Sequence, residues 1–305
     1  MTFIKMTTCL LIYYTGTFNT RYVTRKLSAR LEALGWEVTV YEIDPPKLEK
    51  LDLGKYDIIG LGYPIYGYCA PWPFLKFIRH QKFPKGKKVF IYKNSGETEA
   101  ANDASSKYVT RKLDWDGART RNEYHFLMPY NIHFKYEDNL VREMLTMDEK
   151  LYDILVYEIS HDIPNRRPYR LWPRLVSSVV SRPQYIAGDI NSFLYKVDMD
   201  KCSGCGMCIK QCPTHNIYKD ADGRIRFHHH CNMCMRCSFF CPSDAFYIGF
   251  LQEWGWKVNG PYNFRRIESI QLDKPVITPQ TTGFFKCYVK TYEAINRRHA
   301  EIFGK

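Results

Sequence analysis

The stretch that decides the fold of the carboxyl-terminal half is CSGCGMCIKQCP at residues 202–213, repeated as CNMCMRCSFFCP at residues 231–242. Both copies have the spacing Cys-x2-Cys-x2-Cys-x3-Cys-Pro. Eight of the eleven cysteines lie in these two motifs, and Cys9, Cys69 and Cys287 stand alone. Regular spacing of this kind indicates metal binding rather than a disulfide framework, and we therefore expect a reducing, anaerobic interior.

Two [4Fe–4S] clusters are the occupants that this spacing predicts. A cubane cluster needs four thiolates; each close run supplies three, and the fourth comes from the distant cysteine of the other motif. One cluster is predicted on Cys202, Cys205, Cys208 and Cys241, and the other on Cys231, Cys234, Cys237 and Cys212. A pair of zinc sites is the alternative, but zinc motifs rarely use this run with a Cys-Pro in each repeat.

The segment between the motifs, PTHNIYKDADGRIRFHHH at residues 213–230, is predicted to form a β-hairpin. Asp222 and Gly223 supply the turn between strands at 217–218 and 225–227. The exposed end of the second strand would then be His228 to His230, with a proton relay as the alternative.

The amino-terminal half alternates apolar runs with helix-compatible stretches, which predicts strand–helix units and a parallel sheet. Five strands are predicted, at 8–14, 36–43, 56–60, 87–93 and 124–128. The clearest helices are predicted at 20–34, ended by Gly35, and at 138–159, where apolar residues recur at helical spacing.

Three loops follow the carboxyl ends of predicted parallel strands, where open α/β sheets bind ligands. The first, Thr15 to Thr20, leads directly into a helix, and its hydroxyl and N–H groups would form an anion site for a phosphate. The second, Gly62 to Trp72, is rich in aromatic residues on which a flat ring could stack. The third begins at Asn94.

Together these features resemble a flavodoxin over residues 7–162, and the whole chain resembles the flavodoxin–ferredoxin fusion proteins of anaerobic bacteria and archaea. The resemblance implies an α/β fold: a flavodoxin-like, doubly wound, parallel five-stranded sheet, followed by a small α+β domain like the bacterial 2[4Fe–4S] ferredoxins. It also implies FMN. The FMN contacts that it implies are Thr15, Gly16, Thr17, Phe18, Asn19 and Thr20 for the phosphate, Pro64, Ile65, Tyr66, Gly67, Tyr68 and Trp72 around the ring, and Asn94, Ser95 and Gly96 at its edge.

One residue departs from the family pattern. The family usually has glycine where this chain has Phe18, and a side chain there could crowd the phosphate. The alternative is therefore a flavodoxin-like domain that has lost its flavin and serves as a docking scaffold. Cys69, in the second loop, is interpreted as a small packing residue rather than a reactive thiol.

Four segments are predicted: a flavodoxin-like domain at 1–162, a linker at 163–195, a ferredoxin domain at 196–248, and an extension at 249–305 that ends in a helix at 286–302. The linker contains five arginines among apolar residues. We expect its prolines to limit it to a few helical turns and its apolar side to pack between the domains; contact with an anionic membrane is the alternative. The arginines are Arg166, Arg167, Arg170, Arg174 and Arg182.

The chain has 44 basic and 32 acidic residues, a formal charge of +12. This excess favours an anionic partner, and an acidic redox protein is the expected one. Nucleic acid is not supported because no recognised binding module accompanies the basic residues. No stretch is long enough to cross a bilayer and no signal peptide is recognised, so the cytoplasm is the expected location.

The predicted function is electron transfer between a low-potential donor and a redox partner, through two clusters and FMN. The chain is interpreted as an electron carrier rather than a substrate-specific enzyme. No G-x-G-x-x-G follows a strand, so a nicotinamide site is not predicted. Two alternatives stay open: a flavin-dependent reductase of a small molecule or cofactor, and a flavin-free ferredoxin with a docking domain.

Overall fold

A parallel sheet forms the amino-terminal part of the computed structural model, which describes residues 6–98, 100–166 and 171–304. Its five strands lie in the order β2-β1-β3-β4-β5. This is the flavodoxin-like strand order, so the predicted fold of this half is confirmed. The strands are β1 (Thr8–Tyr13), β2 (Glu37–Glu42), β3 (Ile58–Pro64), β4 (Lys88–Ser95) and β5 (Arg119–Leu127).

Four helices cover the two faces of the sheet, and strand residues alternate between them. One face, with Leu11 and Phe90, packs against the first and last of these helices. The other, with Ile12 and Ile91, packs against the middle two. The sheet is therefore doubly wound. The helices are α1 (Asn19–Ala33), α2 (Trp72–His80), α3 (Lys107–Asp116) and α4 (Asp138–Ser160).

Two predicted strands are too short. Strand β3 continues to Pro64 instead of ending at Gly60, because Gly60 and Gly62 leave room for the rings of Phe90 and Tyr92 on the neighbouring strand. Strand β5 begins at Arg119, five residues before the prediction, because its polar first half pairs with β4 as an edge strand. The polar residues in the first half of β5 gave no apolar run from which this part of the strand could be predicted.

The carboxyl-terminal half contains a small α+β unit built on two antiparallel strand pairs. The predicted hairpin is confirmed: Ile217 pairs with Phe227, and Gly223 has a φ of 79° at the turn. Two short helices each begin inside a cysteine motif. The elements are β6 (Tyr195–Val197), α6 (Met207–Gln211), β7 (Ile217–Lys219), β8 (Ile225–Phe227), α7 (Arg236–Phe239) and β9 (Phe246–Ile248). Helix α5 (Leu171–Ser192) precedes β6.

Helix α5 (Leu171–Ser192) replaces the few turns that we predicted for the linker. Pro173 lies in the first turn, where a missing N–H costs no hydrogen bond, and the helix continues through position 183. The expected burial of its apolar side is wrong: Ser177, Ser181 and Asn191 are buried instead. Predicted basic residues Arg167 and Arg170 lie outside the described part of the chain.

The residues after β9 fold back onto the amino-terminal domain. Tyr288, Tyr292 and Ile295 join the core that contains α4. An ion pair of 2.8 Å links Arg298 to Glu158, which is fully buried on α4. The predicted terminal helix is confirmed within one residue. The helices of this extension are α8 (Phe250–Glu253), α9 (Phe264–Glu268) and α10 (Lys286–Phe303).

Candidate iron–sulfur centres and flavin loops

Two small cavities are enclosed by the cysteine motifs, and each is lined by one of the predicted four-cysteine sets. Within the described chain, no three His, Cys, Asp or Glu side chains are close enough to hold a single metal ion. The four cysteines of each set instead surround a cavity. Cys237, which belongs to the second set, also lines the cavity of the first set. The first cavity is lined by Cys202, Cys205, Cys208 and Cys241. The second is lined by Cys212, Cys231, Cys234 and Cys237.

The backbone of both motifs turns its N–H groups towards sulfur. The N–H of Asn216 lies 3.2 Å from Cys212 Sγ, and the N–H of Ala245 lies 3.4 Å from Cys241 Sγ. Left-handed residues start both short helices: Gly206 before α6, with a φ of 70°, and Met235 before α7, with a φ of 60°. Such N–H groups stabilise thiolates and raise the reduction potential of a bound cluster.

The two thiol sets differ in exposure. Cys205 is exposed, and hydrogen bonds from the Met207 N–H and Ser203 lower its pKa. Burial, followed by the nearby Cys234, raises the pKa of Cys231 to about 12. Burial also raises the pKa of Cys234 to about 11, although the Arg236 charge opposes the shift. Four such thiolates can coexist only with a cationic group between them, which is what cluster iron supplies.

The second motif contacts the loop after β1 directly. Arg236 is buried, and its Nη2 donates a 2.6 Å hydrogen bond to the carbonyl oxygen of Thr15. Its Nε donates to the carbonyl oxygen of Gly16, and its Nη1 donates to that of Gln211 at 3.0 Å. A Cβ placed on Gly16 would lie 3.1 Å from Cys234 Cβ. The second thiol set, whose four cysteines are half-buried, therefore lies against the predicted phosphate loop.

Phe18 helps to form this contact. Its φ of 74° is the left-handed conformation for which glycine is favoured, consistent with the glycine of the family pattern. The ring packs 5.2 Å from Phe240, centre to centre, and the guanidinium of Arg236 lies 4.6 Å above its centroid. The residue that departs from the family pattern thus serves as a docking residue for the second motif.

The polar side chains of the phosphate loop are buried, and most are hydrogen-bonded within the protein. Thr20 Oγ1 donates to Asn94 Oδ1 at 2.7 Å, and Asn19 Nδ2 donates to the Pro129 carbonyl oxygen at 3.0 Å. Thr17 Oγ1 accepts a hydrogen bond from Asn131. The hydroxyl of Thr15 has no hydrogen-bond partner among the described residues. The loop brings together the predicted phosphate contacts and leaves one buried hydroxyl for a ligand.

Tyr66 occupies the space above Gly16. A Cβ on Gly16 would collide with the Tyr66 hydroxyl, which is buried and has no hydrogen-bond partner among the described residues. The rest of the second loop forms a tight turn: the Ile65 N–H donates to the Asn94 carbonyl oxygen at 2.9 Å, and Gly67 and Tyr68 have φ values of 50° and 60°. Pro64 is the last residue of β3.

The third loop is covered by other aromatic residues. A Cβ on Gly96 would collide with the ring of Tyr130. Tyr136 donates a 2.8 Å hydrogen bond to the Gly96 carbonyl oxygen, and Tyr288 of α10 donates to the same oxygen. Ser95 Oγ lies 2.7 Å from His125 Nε2. The backbone expected at the edge of a flavin ring is therefore packed under protein side chains.

Trp72 lines a cavity of about 330 Å³ between α2, α5 and the second motif. Its ring lies 5.4 Å from that of Tyr185, and Tyr66, Lys76 and Cys231 also line the cavity. The reductase alternative needs space for a small molecule beside a redox centre, and this cavity offers it beside a predicted cluster ligand.

FMN fits these loops in part. The donor set of Thr15 to Thr20, at the start of the 15-residue helix α1, suits a phosphate, and the unpartnered Thr15 hydroxyl is consistent with one. Tyr66 lies on Gly16 and Tyr130 lies on Gly96, so the backbone at these two glycines is covered by side chains.

The remaining predicted features have structural roles. Cys69 is fully buried, and burial raises its pKa, as expected for a packing residue. His228 and His230 follow the hairpin strand and are exposed, with their ring centroids 5.4 Å apart. None of the helices in the described ranges is long and apolar enough to cross a membrane.

The contacts of Arg236, Tyr130 and Tyr288 were not predicted. Arg236 occupies a variable position of the second motif, and nothing in its spacing distinguishes it from an exposed residue. Tyr130 and Tyr288 come from segments 34 and 192 residues away from Gly96 in sequence. Only the tertiary fold brings them to this loop.

Comparison with known proteins agrees with the cysteine motifs. A family model described as a 4Fe-4S binding domain matches residues 195–218. A ferredoxin of Methanocaldococcus jannaschii is 36% identical over 56 residues, which cover 17% of this chain and 73% of that protein. The family match favours 4Fe–4S binding over the zinc alternative.

Solved structures similar to the amino-terminal half are distant. General stress protein 14 of Treponema denticola, in complex with FMN, has 16% identity and a TM-score of 0.37, and the match covers 49% of this chain and 97% of that one. A short-chain flavodoxin associated with a PDU bacterial microcompartment has 22% identity and a TM-score of 0.34, covering 41% and 87%.

The assignment of the amino-terminal half depends on the strand order of its own sheet, which is flavodoxin-like. The assignment of the carboxyl-terminal half depends on the two cysteine motifs, on the family match at residues 195–218 and on the ferredoxin to which the chain is 36% identical. The chain therefore belongs to the ferredoxin family, as a fusion of a flavodoxin-like domain with a 4Fe–4S ferredoxin module.

Proposed function

We propose that this protein transfers electrons through two [4Fe–4S] clusters, one near the surface and one buried against the flavodoxin-like domain. The observation that carries the proposal is the pair of cavities, each lined by the four cysteines of one crossed set. Crossed ligation places the two clusters side by side within one small module, which is the arrangement that rapid one-electron transfer needs.

The difference in exposure between the two thiol sets suggests where electrons enter or leave the protein. The set with exposed Cys205 is the one that a partner protein can approach, whereas Cys234 of the other set lies beside Gly16. The charge of +12 favours a partner with an acidic surface. We place this exchange in the cytoplasm, because thiolate-bound clusters require a reducing environment.

FMN is the proposed second cofactor, with its phosphate on Thr15 to Thr20. A bound flavin would let the chain match one-electron and two-electron partners. The support is the donor set of this loop and the unpartnered Thr15 hydroxyl. The distance between this loop and Cys234 is short enough for the domain to exchange electrons with the buried cluster.

A second candidate is a flavin-free two-cluster ferredoxin whose flavodoxin-like domain docks a partner. The observation that favours it is the closed phosphate loop, which is held by the Arg236 side chain and covered by Tyr66. In this candidate, the loop that flavodoxins use for phosphate serves to hold the ferredoxin module.

Quantifying iron, sulfide and flavin released from anaerobically purified protein tests both candidates. Two cubanes require about eight irons per chain. About one FMN per chain would support the flavoprotein. If both the wild type and Tyr66→Ala contain eight irons and no flavin, the flavoprotein is excluded and the flavin-free ferredoxin is supported.

Paired cysteine variants test the crossed ligation. Cys202→Ser/Cys241→Ser removes two ligands of one predicted cluster and should retain about four irons, because the other cluster is untouched. The matched control Cys202→Ser/Cys212→Ser removes one ligand from each cluster and should reduce the iron content further. If the order of these two variants is reversed, each motif binds its own cluster and the crossed assignment is wrong.

A further inference from the structure

Helix α5 exposes its apolar side and buries its small polar side. The outward-facing apolar residues are 52–72% exposed, whereas Ser177, Ser181 and Asn191 are fully buried. Large aliphatic and aromatic side chains on one helix are normally the buried ones, so this inversion indicates a surface made for contact. The exposed residues are Leu171, Trp172, Leu175, Val179, Ile186, Ile190 and Phe193.

The buried side of α5 is held on both halves of the molecule, which keeps the apolar side facing outward. Ser177 Oγ donates a 2.8 Å hydrogen bond to the Tyr68 carbonyl oxygen in the flavodoxin-like domain. Asn191 Nδ2 donates a 3.1 Å hydrogen bond to the Ile248 carbonyl oxygen in the ferredoxin module. A Cβ on Gly188 would collide with the Cys231 carbonyl oxygen, so the helix lies close against the second motif.

The apolar stripe runs the length of the helix, which at 1.5 Å per residue is about 33 Å. At its carboxyl-terminal end it continues into a groove where Phe193, Met199 and Tyr218 lie beside Lys196 and Arg224. Trp172 is at the opposite end. Trp, Phe and Leu side chains on the apolar face are typical of helices that lie in a membrane interface.

The segment that contains α5 is basic in its sequence. Residues 163–196 contain six basic side chains and one acidic side chain, Asp189. A second copy of this chain would bring two such basic segments together across a two-fold contact, which like charges oppose. An anionic lipid surface complements them, and each basic residue near such a surface adds to its attraction.

We propose that α5 lies in the interface of an anionic membrane, with its apolar stripe among the lipid headgroups and acyl chains, and that it holds the ferredoxin module against that surface. The helix docks on the membrane and does not span it. The apolar stripe and the basic residues of this segment together favour a bilayer that is rich in acidic phospholipid.

Vesicle flotation with the full, cluster-loaded chain under anaerobic conditions tests the proposal. We expect binding to vesicles of equal phosphatidylglycerol and phosphatidylcholine, weaker binding in high salt, and little binding to phosphatidylcholine alone. Val179→Asp/Ile186→Asp should lower the partition coefficient at least about tenfold, because two apolar side chains leave the interface and two anionic ones enter it.

The matched control is Trp115→Asp/Leu34→Asp, which makes the same change of charge at two exposed apolar residues outside α5. It should bind vesicles more strongly than the α5 variant does. Unchanged circular dichroism and cluster absorbance would show that both variants are folded.

Three outcomes would overturn the proposal. The first is absence of wild-type binding to phosphatidylglycerol vesicles. The second is equal loss of binding in the α5 variant and the control, which would reduce the effect to net charge. The third is a dimer, measured by light scattering after size exclusion, that becomes a monomer in Val179→Asp/Ile186→Asp; this face would then belong to a second copy of the chain.

Discussion

At the scale of single residues, Asp148 on α4 is a carboxyl group buried beneath the sheet. It is 2% exposed, and its Oδ1 accepts a 3.1 Å hydrogen bond from the Leu127 N–H. Its Oδ2 has no hydrogen-bond partner among the described residues. Burial raises the pKa of Asp148 well above the ordinary value, and the Leu127 hydrogen bond opposes the shift only in part. Asp148 is therefore protonated in the folded state over a range where the unfolded chain ionises it.

Asp148→Asn should stabilise the protein increasingly as pH rises. Folding of the wild type takes up a proton at this site, so the stability that the protonated carboxyl contributes is present at low pH and decreases as pH rises through the folded pKa. The slope is at most about 1.4 kcal/mol per pH unit. Urea unfolding of the intact protein between about pH 5.5 and 8 measures it. The exposed Asp114→Asn is the control; a pH-independent difference between Asp148→Asn and wild type would contradict the prediction.

At the scale of elements, α10 is held on α4 by a buried carboxylate. Glu158 is fully buried and accepts hydrogen bonds of 2.7 Å from Tyr124 Oη and Asn165 Nδ2. Arg298 supplies the charge, with its Nε donating to Glu158 Oε1 at 2.9 Å. The same helix carries Tyr288, which donates to the Gly96 carbonyl oxygen, so its docking also covers the third loop.

Arg298→Gln should lower the free energy of unfolding by about 1–3 kcal/mol, because it leaves the buried Glu158 without its cation. Arg297→Gln, on the exposed side of the same helix, should change it by less than about 0.5 kcal/mol. Urea denaturation followed by circular dichroism compares the two. Equal effects of the two variants would mean that α10 is held by its apolar contacts alone.

At the scale of the whole molecule, Arg236 joins the two halves. Its guanidinium donates to carbonyl oxygens of the first loop and lies close enough to Cys234 to lower the pKa of that thiol against the effect of burial. A reduced cluster carries one more negative charge than an oxidised one, so a buried cation beside its ligand favours reduction. We therefore expect the flavodoxin-like domain and the buried cluster to be coupled through this side chain.

Arg236→Met should make the potential of the buried cluster more negative by roughly 70–140 mV, which is Coulomb's law for a charge about 5–10 Å away at an effective dielectric constant near 20. The potential of the cluster with exposed Cys205 should change less. Potentiometric titration followed by electron paramagnetic resonance separates the two. Arg224→Met, in the exposed hairpin, is the control, and equal shifts of both clusters in Arg236→Met would refute a local effect.

The sequence alone determined the features that depend on local spacing. The order of apolar runs predicted the five parallel strands, and the position of Asp222 and Gly223 predicted the hairpin, because turns and strands depend on neighbouring residues. The two cysteine motifs predicted both thiol sets, since a cubane requires a fixed number of ligands and each motif supplies three from one loop. Strand ends were less accurate where glycines or polar edge residues interrupt the pattern.

Only the tertiary structure decided what covers the three loops and which way α5 faces. Arg236 reaches Thr15 across 221 residues, and Tyr288 reaches Gly96 across 192. Contacts between residues so far apart leave no periodic signal in the sequence. The amphipathic pattern of α5 predicted a buried apolar side, because burial is the usual outcome for such a stripe. In the structure the opposite side of α5 is buried, because Ser177, Gly188 and Asn191 are small or polar enough to approach backbone carbonyl groups closely. The larger apolar residues therefore face outward.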